Sequence, residues 1–93
     1  MIKSFADKET ERLWKGRKSK AVPGDVRERA VAKLTSINAA TSVKELRVPP
    51  GNRLHKLGGD REGQWAISIN QQHRVCFMFE GGDAYDVEVV DYY

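Results

Sequence analysis

The stretch Val75–Asp83, VCFMFEGGD, carries the clearest fold signal in this chain of 93 residues. Apolar side chains at 75, 77 and 79 alternate with residues 76 and 78, which is the period-two pattern of a strand with one buried face. Arg74 precedes this run and is expected to project from the face opposite the aromatic core. The Gly81-Gly82 pair favours a tight hairpin turn, and a last strand is then predicted from Tyr85 to about Tyr92.

A second strand is predicted just before this hairpin. Residues 64–69 alternate between large apolar and smaller or polar side chains, and the turn Asn70–Gln72 leads back into the next strand. Further upstream, residues 41–52 end in Pro-Pro-Gly-Asn, which forbids helix and indicates an extended connection. A strand at Arg53–Leu57 and a tight turn at Gly58–Gly63 are expected to follow.

The first part of the chain begins with a short strand candidate at Met1–Phe5. Asp7 is a possible N-cap for a helix over Lys8–Lys15, and Gly16 ends that helix. A first helix of about two turns is therefore predicted.

A second helix is predicted to begin near Val26, because Asp25 and Glu28 make a capping-box pattern. Apolar residues then recur at three- and four-residue spacing, so one stripe is expected to be buried. The stripe comprises Val26, Ala30, Val31, Leu34 and Ile37. The opposite side is expected to face water and includes Arg27, Glu28, Lys33 and Ser36.

The order of these elements predicts an α+β fold. Two N-terminal helices would pack on one face of a mainly antiparallel, twisted β-sheet. The length fits one domain, residues 1–93.

Composition limits where the protein works and what it contacts. The one cysteine, Cys76, cannot form an internal disulfide, and no secretory leader is evident at the N-terminus, so a cytoplasmic protein is expected. No apolar run approaches the roughly 20 residues that span a bilayer, so no membrane contact is expected. Cys76 also has no His or Cys partner at metal-ligand spacing, and neither a metal nor a cofactor is predicted.

Charge is distributed unevenly along the chain. Residues 1–74 carry all 16 Lys and Arg with 8 Asp and Glu, whereas residues 75–93 carry five acidic groups and no basic one. A basic body with an acidic, aromatic end suggests a protein that handles RNA.

Several segments taken together resemble one known family. They are Asn52–Leu57 (NRLHKL), the turn Gly59–Gly63 (GDREG), Trp65, Arg74 and the terminal Asp91-Tyr92. In their order and spacing the chain resembles the HigB-type toxins of the RelE/ParE superfamily, over essentially its whole length.

The resemblance implies a RelE-like single domain and a ribosome-dependent endoribonuclease. Such an enzyme cleaves mRNA in the ribosomal decoding site, by attack of a 2′-hydroxyl on the adjacent phosphate. The implied partners are the ribosome, mRNA and a cognate helix-turn-helix antitoxin similar to HigA, with operator DNA bound only through the antitoxin.

The residues themselves are suited to that chemistry. Cutting RNA without a metal requires a base, a cation for the crowded phosphorane and an acid for the departing oxygen. His55 exchanges protons near neutral pH, and Arg74 offers a fixed guanidinium fork for a phosphate. Asp91, Tyr92 and Tyr93 are the remaining candidate catalytic residues, for proton transfer, positioning or stacking on an unpaired base.

Basic residues are candidates for contacts with the RNA backbone, although a solvated surface residue is the default interpretation for each of them. The candidates are Arg53, Lys56, Arg61, Arg17 and Lys18, with Lys20 beside them. His73 matches no position of the family pattern and is interpreted as a solvated turn residue.

Two departures from the family pattern affect the site. Tyr93 stands where the family often has a final histidine, and Gly58 stands where relatives carry lysine. Two other functions stay open at this point: a ParE-like inhibitor of DNA gyrase, and a non-enzymatic half of a DNA-binding repressor complex.

Overall fold

The structure, a computed structural model, describes residues 1–91. Within this range two α-helices, α1 (Lys8–Trp14) and α2 (Arg27–Ala39), precede a four-stranded sheet. The strands are β1 (His55–Lys56), β2 (Trp65–Ser68), β3 (His73–Glu80) and β4 (Asp83–Asp91). They are antiparallel and lie in the order β1-β2-β3-β4, which confirms the predicted α+β class.

The β3–β4 hairpin forms as predicted. Gly81 and Gly82 both have positive φ, +59° and +84°, the backbone that a two-residue hairpin turn requires. A β-bulge lies between Cys76 and Met78, and Asp86 opposite it has φ +52°. Because of this bulge, Ala84 and Val87 both reach the core although they are three residues apart.

Helix α1 begins at its predicted cap. The Asp7 side chain accepts a hydrogen bond from the Thr10 backbone N–H at 3.2 Å. The buried Thr10 hydroxyl in turn accepts the Val89 N–H of β4 at 3.0 Å. Leu13 is fully buried, so the helix lies against β4 with its apolar side inward.

Helix α2 presents the predicted stripe, with Ala30, Leu34 and Ile37 fully buried. The predicted capping box is wrong, because Asp25 lies in a 3-10 turn (Gly24–Val26) and neither that turn nor α2 has a side-chain cap. Two of the residues expected to face water are half-buried. Arg27 donates to the Arg17 carbonyl at 2.6 Å, and Lys33 donates to Asn52.

The segments beside the sheet are less regular than predicted. Residues 1–6 run parallel to β4 through two isolated bridges, Ile2 to Ala84 and Phe5 to Val87, rather than as a strand. Residues 41–52 are not extended: they contain 3-10 turns at Val43–Arg47 and Pro50–Asn52. A capping box of Ser42 and Glu45 stabilises the first of these turns locally.

Strand β1 has only two residues, so the predicted strand Arg53–Leu57 was too long. Its start is set by Arg53, whose left-handed backbone (φ +50°, ψ +47°) cannot continue a strand. The Gly59–Arg61 turn joins β1 to β2.

Both faces of the central strands are covered. Ala66 and Ser68 of β2 are buried along with Ile67, so the expected one-sided burial of this strand is wrong. His73 is also buried and starts β3, which contradicts its interpretation as a solvated turn residue. None of the helices among residues 1–91 is long and apolar enough to cross a membrane.

Asn52 fixes the irregular segment before β1. Its side chain is fully buried, and its amide donates to the carbonyls of Leu46 at 3.1 Å and Val48 at 3.3 Å. Its side-chain oxygen accepts from the Lys33 ammonium of α2. One amide therefore ties both 3-10 turns to the second helix.

We expect Asn52→Leu to lower the free energy of unfolding by about 2–4 kcal/mol, because the γ-branched shape is kept while the Leu46 and Val48 carbonyls and the Lys33 ammonium lose a partner. Urea unfolding followed by circular dichroism measures the change. Gln71→Leu, at an exposed amide, is the matched control and should stay within about 0.5 kcal/mol. Equal effects for the two variants would contradict this role of Asn52.

Candidate functional site

A broad open cleft of about 1460 Å³ lies between the start of α2, the approach to β1 and the β2–β3 turn. Arg29 lines it from the helix, Gly51, Arg53 and His55 line it from the approach to β1, and residues 68–72 line it from the turn. Its volume exceeds that of a pocket for a single small molecule, and its openness to solvent suits an extended polymer.

His55 is held at the rim of this cleft by its own backbone neighbourhood. It is exposed, and its Nδ1 lies 2.7 Å from the carbonyl oxygen of Arg53. This contact fixes the orientation of the imidazole ring over the cleft.

Strand register places His55 and Arg74 on the same sheet face. His55 lies opposite Ala66, and Ala66 lies opposite Cys76, which is two residues after Arg74 in β3. Directly opposite residues share a face, as do residues two apart. Strand spacing and rise put the Cα atoms of His55 and Arg74 about 12 Å apart, so their side chains can converge on one phosphate.

Arg74 also borders the cleft through its strand partner. It lies opposite Ser68, which lines the cleft, and it is half-buried. The face chosen for Arg74 from the sequence, opposite Val75 and Phe77, agrees with this placement.

Asp91 is the last residue of β4 and lies on the sheet face opposite that of Arg74. It lies opposite His73, and the neighbouring Val90 lies opposite Arg74. Its Oδ2 accepts a hydrogen bond from the Gln72 side chain at 3.0 Å, and Gln72 lines the cleft. Asp91 therefore reaches the cleft through Gln72 and does not itself line it. Tyr92 and Tyr93, the other predicted catalytic residues, lie outside the described residues.

Of the five predicted RNA-binding residues, Arg53 lines the cleft. Arg29 lines it too, although sequence reasoning missed this residue. The signal available was its position in the exposed first turn of α2, but nothing local shows that this turn faces the approach to β1.

Lys56 and Arg61 have other contacts. The Lys56 ammonium lies 5.2 Å from the centre of the Trp65 ring, a cation–π contact on the side of β1 away from His55. Arg61 is half-buried, with Nη2 3.1 Å from a Glu88 carboxylate oxygen and Nη1 donating to Gln64 at 3.1 Å. Both cations are thus already engaged within the fold.

Arg17 and Lys18 lie in a separate hollow of about 390 Å³, with Arg12, Ser19 and Lys20 around Glu9. The backbone N–H of Lys20 donates to the Glu9 carboxylate at 2.7 Å. This hydrogen bond, with the nearby charge of Arg12, holds the pKa of Glu9 below its usual value. The structure does not bring Arg17 or Lys18 into the His55 cleft.

Cys76 lies on the cleft-side face but is fully buried. Burial raises the pKa of the Cys76 thiol, although the guanidinium charges of Arg61 and Arg74 act in the opposite direction. The neutral thiol is a poor nucleophile, and the residue serves as packing. Among residues 1–91 no group of three or more His, Cys, Asp or Glu side chains is placed to hold a metal ion.

Comparison with solved structures shows the fold. The chain is similar to a YoeB/ParE toxin from Agrobacterium tumefaciens, with a TM-score of 0.53 over 99% of this chain and 98% of that one. Sequence identity is 15%, so this likeness concerns the fold alone.

Sequence comparison is more specific. The chain is 38% identical over 97 aligned residues to Endoribonuclease HigB of Proteus vulgaris, covering 100% of both chains. It is 32% identical over 85 residues to Toxin HigB-1 of Vibrio cholerae, covering 90% of each. Residues 3–93 match the family described as the RelE-like toxin of type II toxin-antitoxin system HigB.

The fold and these relatives define a RelE-like toxin of a type II toxin–antitoxin system. Within that class the chain belongs to the HigB-like toxin family, which confirms the resemblance seen in the sequence. Membership of such a system implies an antitoxin as its partner.

We expect the Arg61–Glu88 pair to stabilise the fold, because it ties the turn before β2 to β4 across the cleft-side face. A double-mutant cycle with Arg61→Ala and Glu88→Ala should give a coupling energy of about 0.5–1 kcal/mol by urea unfolding. Lys44→Ala, at an exposed cation, should show no coupling to Glu88→Ala. If the changes in unfolding free energy caused by Arg61→Ala and Glu88→Ala were strictly additive, the ion pair would not stabilise the fold and Arg61 would be available for RNA.

Proposed function

We propose that the chain is a metal-independent endoribonuclease that cuts mRNA on the ribosome, with the His55 cleft as its active site. The observation that carries the proposal is the placement of His55 and Arg74 on one sheet face beside a cleft lined by Arg29 and Arg53. The name of the Proteus vulgaris relative, an endoribonuclease, supports the same activity.

The proposed reaction is an internal transesterification. The 2′-oxygen of one nucleotide bonds to the adjacent phosphorus while the bond from phosphorus to the 5′-oxygen breaks. The products are a 2′,3′-cyclic phosphate and a free 5′-hydroxyl. One proton must leave the 2′-hydroxyl and one must reach the departing 5′-oxygen.

His55 and Arg74 have separate roles in this proposal. His55 exchanges protons at the rim of the cleft, where the ring is exposed. Arg74 stabilises the negative charge that develops on the phosphorane oxygens, for which its planar fork is better suited than an ammonium. Asp91 contributes positioning through Gln72, and Tyr92 and Tyr93 share positioning and the delivery of the second proton.

The cleft would bind RNA from two sides. The guanidinium groups of Arg29 and Arg53 are placed to contact phosphates, which fixes the position of the strand without reading its sequence. The second hollow, with Arg17 and Lys18, would add contacts to ribosomal RNA away from the reacting phosphate. Lys56 and Arg61 would contribute through the fold more than through direct phosphate contacts.

We propose that residues 1–93 act as one domain in the cytoplasm, with the ribosome and mRNA as targets. The antitoxin would be a HigA-like helix-turn-helix protein, and operator DNA would be bound only through it.

We expect His55→Ala to reduce mRNA cleavage on programmed ribosomes by about 10²–10⁴-fold, because proton transfer from the 2′-hydroxyl is lost.

Arg74→Lys should reduce the same cleavage rate by about 10²–10³-fold, because an ammonium replaces the bidentate fork. Primer extension maps the new 5′ ends, with and without ribosomes.

Arg47→Lys is the matched control for Arg74→Lys, since Arg47 is an exposed arginine outside the cleft. Its cleavage rate should equal that of the wild type. Cleavage by His55→Ala at the wild-type rate would contradict the assignment of the His55 cleft as the active site. Intact mRNA with the wild-type chain in every lane would contradict the nuclease and favour gyrase inhibition or a purely regulatory role.

A further inference from the structure

The hydrogen bond at the His55 ring determines which nitrogen carries its proton. A carbonyl oxygen has no hydrogen to give, so the Arg53 carbonyl accepts and His55 Nδ1–H donates across 2.7 Å. The neutral ring therefore holds its proton on Nδ1. Its Nε2 is unprotonated and takes part in no hydrogen bond among residues 1–91.

The Arg53 carbonyl is aimed at the ring by an uncommon backbone conformation. Arg53 lies in the left-handed region at φ +50° and ψ +47°, which non-glycine residues rarely adopt. Its N–H donates to the Pro50 carbonyl at 3.1 Å, so the peptide before it is held by the 3-10 turn. A local strain of this kind persists only where the surroundings enforce it, and it is common at functional sites.

The surroundings here are the buried contacts of Asn52. Its amide is fully buried and donates to the Leu46 and Val48 carbonyls, and its oxygen accepts from Lys33. Asn52 is thus fixed on three sides directly before the strained residue. These contacts favour the left-handed turn at Arg53, at a conformational cost that depends on the residue at this position.

We propose that Arg53 is a positioning residue that acts through its carbonyl to hold His55 with Nε2 as the proton acceptor for the reaction. This inference rests on the proposed nuclease function and assigns His55 the part of the general base. The left-handed conformation at position 53 is then a catalytic requirement as well as a structural feature.

The proton balance of the step is simple. The 2′-hydroxyl proton moves to Nε2 as the oxygen–phosphorus bond forms, and the ring becomes an imidazolium. Nδ1–H donates to the Arg53 carbonyl before and after the transfer, so the ring does not have to turn. The carbonyl dipole also stabilises the positive charge that the ring gains.

The two functions of Arg53 can be separated by mutation. Arg53→Gly and Arg53→Val both delete the guanidinium that lines the cleft. Glycine adopts φ +50° without strain, whereas β-branched valine opposes it. Only the valine variant should release the carbonyl from His55.

The experiment measures the tautomer of neutral His55 in the free protein from its two ring ¹⁵N chemical shifts, assigned with His55→Ala. It also measures kcat and KM on programmed ribosomes. Wild type and Arg53→Gly should both show a protonated Nδ1, and both variants should show a raised KM because the guanidinium of Arg53 is lost. Arg53→Val should show a mixed tautomer and a kcat about tenfold or more below that of Arg53→Gly, with a KM close to that of Arg53→Gly.

Arg53→Ala, which opposes the left-handed turn less strongly, is the second variant if the valine variant does not fold. A protonated Nε2 in the wild type, or equal kcat for the glycine and folded valine or alanine variants, would overturn the proposal. The tautomer is measured without RNA. If the chain proved not to be a nuclease, a protonated Nδ1 would still show that the Arg53 carbonyl orients the ring, and only the role of His55 as general base would be contradicted.

Discussion

The antiparallel pairing of β3 with β4 holds the other described elements in place. β4 is the strand that receives β3 on one side and residues 1–6 on the other. It also donates the Val89 N–H to the buried Thr10 hydroxyl of α1. The bulge keeps Ala84 and Val87 in the core, and the regular part of the ladder sets Arg74 opposite Val90 and His73 opposite Asp91. Packing and the candidate site therefore share one register, and a slip of one residue would disrupt both.

The cleft adds a second, independent constraint on this sheet. β1 has two residues, so the 3-10 turns before it help strand pairing to place His55. Asn52 joins those turns to α2, and α2 brings Arg29 to the same cleft. The segment before β1 is thus held by the polar contacts of Asn52 as well as by Leu46, which lies in the apolar core. Such polar segments are specific in geometry and sensitive to the loss of a single partner.

The sequence predicted what local signals control and missed what long-range contacts control. Asp7 and the Gly81-Gly82 pair mark their elements within a few residues, and both elements formed as predicted. The Asp25 capping box failed because a 3-10 turn competes for the same residues. The family resemblance indicated His55 and Arg74, but the ion pair of Arg61 with Glu88 and the place of Arg29 depend on segments distant in sequence. No periodicity in a single chain contains that information.

The most direct measurement is a structure of the chain on a programmed ribosome, with mRNA methylated on the 2′-oxygen at the cleavage position so that it cannot react. We expect the methylated 2′-oxygen to face His55 Nε2, the adjacent phosphate to contact the Arg74 guanidinium, and neighbouring phosphates to contact Arg29 and Arg53. An mRNA strand that passes outside the cleft, or lies against the Arg17–Lys20 loop with His55 facing solvent, would contradict this expectation.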